Sequence, residues 1–244
     1  MRTRRESGST TTSGAVARVA LACGGTAGDV LPAIAVAEGL PCEVEPVLLG
    51  DPAGLARRLG AQRGHRFLAI PAAPFARTSS IGKARSVVAT AFGAIAARRL
   101  LRREAVRLVV GFGGYASVPV GLAAWSLGIP VVLFEANAVP GTANGLLDRF
   151  AVRVLLGAPA AAGAFRGPTT VTGVPLRPEI LGVSARGPHV PLRVLVSGGS
   201  VGSPLLDAHA AALLARVAAR GHALDVRHVG DVARARAAYA AAGI

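Results

Sequence analysis

The chain is poor in aromatic, sulfur-bearing and acidic side chains, and each shortage excludes something. Aromatic residues are 4% of 244, with one Trp and two Tyr. That is too few to interleave with the basic residues as a stacking platform, and no RNA-binding signature is present, so no nucleic-acid partner is expected. The only cysteines are Cys23 and Cys42. They have neither metal-ligand spacing nor a disulfide framework, which fits a reducing compartment. Cys23 lies in an apolar run and reads as a buried thiol. The five histidines, His65, His189, His209, His222 and His228, show no ligand spacing, so neither a metal nor a cofactor is expected. Apolar stretches approaching about 18 residues are all broken by Gly, Pro or Arg, which argues against a transmembrane helix. Residues 1–14, MRTRRESGSTTTSG, lack an apolar segment and read as a disordered tail rather than a signal peptide.

Small aliphatic side chains are abundant. Hydrophobic residues are 52% of the chain, dominated by Ala, Val and Leu, and 31 glycines accompany them. This suits a layered α/β protein with close helix–sheet packing. Lys+Arg number 27 against 13 Asp+Glu, a formal net charge of +14. Either the surface is simply arginine-rich through coding bias, or it attracts an anionic membrane or a phosphorylated substrate.

Periodicity predicts strands over 16–23, 43–49, 66–70, 107–110, 130–134 and 152–155. Helices are predicted over 30–40, 53–63 and 81–104, the last with Gly93 as the point where it would break. A Pro-rich loop is predicted over 71–80. Strands alternating with helices imply right-handed βαβ units and a parallel sheet. A second half repeats the pattern, with strands over 192–197 and 224–228 and helices over 205–220 and 231–242. Two βα units are too few for an independent doubly wound domain. The expected organisation is therefore an amino-terminal domain over 15–176, a linker over 177–191, and the beginning of a truncated second domain over 192–244.

Three stretches carry candidate chemistry. Gly24-Gly25-Thr26-Ala27-Gly28-Asp29 follows a strand and opens a helix, where backbone N–H groups and the helix dipole suit a phosphate. It lacks GxGxxG spacing, so no nicotinamide site is indicated, and an ordinary strand–helix turn accounts for it equally. Ser197 to Ser203 repeats the design, suggesting two facing Rossmann-like lobes with a ligand between them. Val109 to Arg149 reads as a strand, a glycine turn at Gly113-Gly114-Tyr115, a helix, a second buried strand and a polar loop from Glu135 to Asn144. An open α/β sheet places its ligands at the carboxyl ends of such strands. Asn137 is either a turn residue or a hydrogen-bonding group for a sugar or peptide; Tyr115 either faces the same cleft or packs its ring. The 81–104 helix combines Ile81, Val87, Val88, Phe92, Ile95 and Leu100 with Lys83, Arg85, Arg98, Arg99, Arg102 and Arg103. It suits either an anionic lipid surface, with Trp125 as an anchor, or a core-facing helix with a solvated basic side.

Taken together, these residues resemble the bacterial MurG family, most specifically over Val109 to Arg149. The resemblance implies a GT-B fold: a Rossmann-like amino-terminal domain for an undecaprenyl-diphosphate-linked acceptor, lipid I, and a second Rossmann-like domain for UDP-N-acetylglucosamine. The implied reaction transfers N-acetylglucosamine with inversion to make lipid II, by a peripheral enzyme at the cytoplasmic face of the bacterial membrane. Gly25, Thr26, Gly28, Gly114, Tyr115, Glu135, Asn137 and Asn144 would face the acceptor, and Arg177 and Ser200 the donor. Three departures accompany it. Asp29 stands where the family carries the His of its first glycine loop, Val201 stands where it carries Gln, and the family is longer by about a hundred residues. An ordinary Asp, with pKa near ~3.9, accepts a hydroxyl proton poorly. These departures predict a divergent member, weak or inactive as the chain stands. The alternatives are a GT-B transferase of secondary metabolism and a non-catalytic acceptor-binding fragment.

Overall fold

A computed structural model describes residues 16–72, 80–184, 187, 189–199 and 202–243. The predicted tail, Ser200, Val201 and most of the Pro-rich loop lie outside the described residues, as do the side chains of Ile81, Lys83 and Arg85. The chain divides between Leu181 and Gly182 into two units.

The first unit alternates strands and helices: β1 (Ala17–Ala22), α1 (Ala27–Gly39), β2 (Val44–Gly50), α2 (Leu55–Gln62), β3 (Arg66–Ala69), α3 (Ser80–Arg103), β4 (Val106–Gly111), α4 (Ser117–Ser126), β5 (Val131–Glu135), α5 (Thr142–Leu147), β6 (Arg153–Leu156), β7 (Thr169–Val171) and α6 (Pro178–Leu181). The seven strands form one parallel sheet in the order β3-β2-β1-β4-β5-β6-β7. β7 has three residues, too few to show a periodicity, and the sequence reading missed it. α6 falls where the linker was expected.

Both faces of this sheet are covered, so its strands are continuous apolar runs and neighbours along a strand enter different cores. Leu21 and Leu48 pack on one side with Val30, Ile34, Phe112 and Phe134. Ala20, Val47 and Leu49 pack on the other with Leu101, Val120, Leu133 and Leu147. Each large side chain so buried contributes roughly 1.5–3 kcal/mol of transfer free energy. At the amino end of the sheet, buried Glu104 is held by Arg66 at 2.8 Å and Arg18 at 3.4 Å.

The break predicted at Gly93 does not occur: α3 runs unbroken for 24 residues. Gly93 is buried, and a Cβ there would meet Pro119 of α4 at 3.1 Å and, closer still, the carbonyl oxygen of Pro71. Gly in a helix interior costs about 1 kcal/mol against Ala. The glycine is kept by the close approach of neighbouring chain, a cause that sequence periodicity does not register.

The second unit holds β8 (Leu192–Ser197), α7 (Pro204–Ala218), β9 (Leu224–Val229) and α8 (Val232–Ala241). β8 and β9 pair in parallel, Leu192 with Leu224 through Ser197 with Val229. Pro204 at the first helical position and Ser203, whose hydroxyl accepts from the Leu206 N–H, start α7 where the glycine turn ends.

Candidate functional site

The strand order reverses between β1 and β4, and loops at such a switch point leave a crevice at the carboxyl ends of the strands. The loops after β1 and β4 meet there backbone to backbone. A Cβ on Gly24 would lie 2.7 Å from the Gly114 Cα, and Gly114 has φ +73°. Neither position has room for a side chain. Buried Ser117 fastens the junction, with its Oγ 2.9 Å from the Ala22 carbonyl and 2.6 Å from that of Gly113.

Asp29, in the first turn of α1, reaches back into this junction. Thr26 Oγ1 donates to Asp29 Oδ2 at 2.9 Å, and the Thr26 backbone N–H supports the same carboxylate. This is one half of a capping box, in which the third helical residue satisfies the donor of the N-cap. Burial pushes the Asp29 carboxyl above its ordinary range; the Thr26 bonds oppose that, and the Glu135 charge adds to it. The neighbouring Cys23 thiol is pushed up to about 12 by burial and the Asp29 charge.

Tyr115 turns its hydroxyl toward the exposed Gly25 and donates to Asp51 Oδ2 at 2.8 Å. Burial, then the hydrogen bond to Asp51 and its charge, push the phenol up to about 12. Asp51 was not anticipated. Its signal was available, since it is the first residue past β2 at the same edge of the sheet.

Glu135 ends β5 and is 2% exposed. Its carboxylate accepts from the Asn137 N–H and Asn137 Nδ2, both at 2.9 Å, from the Gly141 N–H at 2.9 Å and from Asn144 Nδ2 at 3.0 Å. Charge-assisted bonds of this kind are worth roughly 1.5–3 kcal/mol each. Glu135 thus folds the polar loop around itself. Asn144, also 2% exposed, gives its Nδ2 to Phe134 O and Glu135, while its Oδ1 is buried without a partner. Asn137 is exposed on the loop.

The structure therefore gathers Gly25, Thr26, Gly28, Asp29, Gly114, Tyr115, Glu135, Asn137 and Asn144 at the carboxyl edge of one sheet, on strand ends, loops and first helical turns. Arg177 stands apart from the bonds that tie these loops, and its carbonyl accepts from Ile180 and Leu181 as α6 begins. No group of His, Cys, Asp and Glu among the described residues is arranged to hold a metal ion.

In the second unit, Gly199 and Gly202 have positive φ, and a cleft of about 450 Å³ opens beside Gly202, Ser203, Asp207, Gly230, Asp231 and Arg234. Its wall is braced by a partly buried chain that sequence reading missed. Asp207 Oδ1 lies 2.9 Å from His228 Nε2, and His228 Nδ1 lies 3.0 Å from the Tyr239 hydroxyl. The three residues are far apart in sequence and share no motif spacing.

The chain is similar to known proteins in sequence and in fold. Residues 19–156 match the glycosyltransferase family 28 N-terminal domain. The chain is 38% identical over 202 residues to the UDP-N-acetylglucosamine–N-acetylmuramyl-(pentapeptide) pyrophosphoryl-undecaprenol N-acetylglucosamine transferase of Acidithiobacillus ferrooxidans, covering 80% of this chain and 55% of that one. It is 36% identical to the enzyme of that name from Methylobacterium sp. over 93% of this chain and 64% of the relative. Among solved structures, Acinetobacter baumannii MurG aligns with a TM-score of 0.66 at 31% identity, over 93% of this chain and 65% of that one. An Anabaena protein solved with UDP and glucose shares the fold, with a TM-score of 0.60 at 18% identity over 93% of this chain and 67% of that one. The chain spans about half to two thirds of the length of the relatives it matches. With the family model covering more than half of its residues, the chain belongs to glycosyltransferase family 28 and has an α/β architecture of GT-B type.

Proposed function

We propose that this chain carries the acceptor-binding part, and a portion of the donor-binding part, of an inverting transferase. The reaction moves N-acetylglucosamine from UDP-N-acetylglucosamine to an undecaprenyl-diphosphate-linked muramoyl acceptor. The observation that carries the reading is the meeting of the β1, β2, β4 and β5 loops at the switch point, with Asp29, Tyr115 and Asn144 among them. An acceptor hydroxyl attacks the anomeric carbon and UDP leaves, so the hydroxyl needs a proton acceptor. Asp29 is the candidate. Burial raises its carboxyl above the ordinary range, which makes it a better proton acceptor than a solvated Asp.

The same unit offers a surface for the lipid part of such an acceptor. Val87, Val88, Phe92 and Ile95 of α3 are exposed, Phe92 at 66%, and Trp125 of α4 is 57% exposed beside Phe150. Arg99, Arg102 and Arg103 are exposed on α3. An apolar stripe bordered by cations suits the interface of an anionic bilayer. No helix among the described residues is long and apolar enough to cross a membrane. The proposed location is peripheral, at the cytoplasmic face.

The test is transfer of radiolabelled N-acetylglucosamine to the lipid-linked acceptor in anionic vesicles. The expected result is weak product from the wild type and its loss in Asn144→Ala. Co-sedimentation with acceptor-loaded vesicles and no product favours the acceptor-binding reading over the transferase.

A further inference from the structure

We propose that Asp207 is a positioning residue of the cleft in the second unit. Through the Asp231 N–H and the His228 ring it fixes where α8 begins, and so where Arg234 stands. The inference rests on reading that cleft as part of the donor side.

Arg234 is the one cation among the described residues that line the cleft, so a diphosphate entering it would need that guanidinium. Arg234 is the third residue of α8, and the N-cap sets where this helix starts. Asp231 Oδ1 accepts from the Ala233 and Arg234 N–H groups, both at 3.1 Å. The Asp231 backbone is held in turn from α7, where Asp207 Oδ2 accepts the Asp231 N–H at 3.4 Å. The Asp207 and His228 side chains are 5% and 7% exposed. A Cβ on Gly230 would overlap Asp207 Oδ1 and come within 3.2 Å of His228 Nε2, so the turn between β9 and α8 lies directly on this pair.

The same bonds place the ring proton of His228. Asp207 Oδ1, 2.9 Å from Nε2, is a carboxylate oxygen and accepts only, so Nε2 carries a hydrogen. In a neutral ring Nδ1 is then the acceptor, and the Tyr239 hydroxyl donates to it at 3.0 Å. Burial pushes the Tyr239 phenol up, so it keeps the proton that it donates. Asn in place of Asp207 changes this arrangement in one determined way. Its amide offers one acceptor oxygen and one donor nitrogen. A backbone N–H cannot become an acceptor, so the oxygen goes to Asp231 and the nitrogen to Nε2. The imidazole answers by carrying its proton on Nδ1, and the Tyr239 oxygen accepts it. Leu fills similar space and holds neither partner.

The experiment compares the full-length wild type with Asp207→Asn and Asp207→Leu at pH ~9, where an ordinary imidazole is neutral. It reads the nitrogen chemical shifts of the His228 ring, the Asp231 and Arg234 amide resonances, and UDP affinity by calorimetry. The wild-type ring is expected to be protonated on Nε2 and the Asn variant's on Nδ1. Asp207→Leu is expected to move both amide resonances and to weaken UDP binding about tenfold, while Asp207→Asn stays within about twofold of the wild type. Asp207→Ala replaces the Leu variant should that one fail to fold. A packing role alone would be met by Leu as well as by Asn. The proposal is overturned if Leu leaves the amides and UDP affinity at wild-type values, if Asn loses UDP as Leu does, or if the ring proton stays on Nε2 in the Asn variant. A wild type that binds no UDP would remove the donor reading, and the ring and amide readouts would still decide the positioning role.

Discussion

The two units use the same local grammar, a strand, a glycine turn and a helix, and reach different burial. β1 buries its last four residues, and so does β2. β8 and β9 bury none completely, and Leu195 in β8 is 69% exposed. β1 has a strand on each side and cores on both faces, whereas β8 has one strand partner. Buried residues in the second unit are few and mostly small: Ala210, Ala211, Leu214 and Ala235, with Asp207. Propensity and turn chemistry make an element; the number of layers around it decides how much free energy its side chains contribute.

Truncating one leucine in each unit tests that difference most strongly. Leu21→Ala leaves a cavity in a closed core, at an expected cost of about 3 kcal/mol. Leu195→Ala is expected to cost less than about 0.5 kcal/mol. The only tryptophan, Trp125, lies in the first unit, so urea denaturation followed by its fluorescence isolates that unit; circular dichroism reports both units, and the part of its change that does not track the fluorescence belongs to the second. Equal costs would break the comparison.

Glycine substitutions sharpen it at intermediate size. Gly114→Ala combines positive φ with a clash against Gly24 and is expected to cost about 2–3 kcal/mol. Gly221→Ala meets the same dihedral restriction, φ +86°, but open space, and is expected to cost about 1 kcal/mol. An effect of the same size as at Gly221 concerns Tyr115, expected to lose about 1 kcal/mol as Phe. Its folded pKa, pushed up to about 12, exceeds its unfolded value near 10. The added stability is therefore fully present below pH ~10 and is lost as pH rises through about 12. Alkaline melts of wild type and Tyr115→Phe should converge across that window, and a constant gap would refute the assignment.

Most of the α/β alternation was legible because most strands are short apolar runs closed by a turn and followed by a helical pattern. The acceptor-side residues were legible as a set for the same reason, since they end strands. What sequence could not supply was partnership. Asp51 and Tyr115 are 64 residues apart, and the Asp207–His228–Tyr239 chain has no spacing signature. Gly93 read as a weak point because periodicity sees only its own helix, while the contact that requires it comes from Pro71 and Pro119.

By itself the sequence determined the order and type of the main elements, the glycine turns at the carboxyl ends of the strands, and the family likeness of the Glu135–Asn144 loop. These follow from local dihedral preferences and hydrophobic periodicity, which act over a few residues. Only the tertiary structure decided that Glu135 is consumed in holding its own loop, that Asn144 keeps a buried acceptor free, and that Asp29 occupies the amino end of α1 as an internal anion. Hydrogen-bond saturation and charge placement depend on which loops the sheet order brings side by side, and that order is a property of the folded chain.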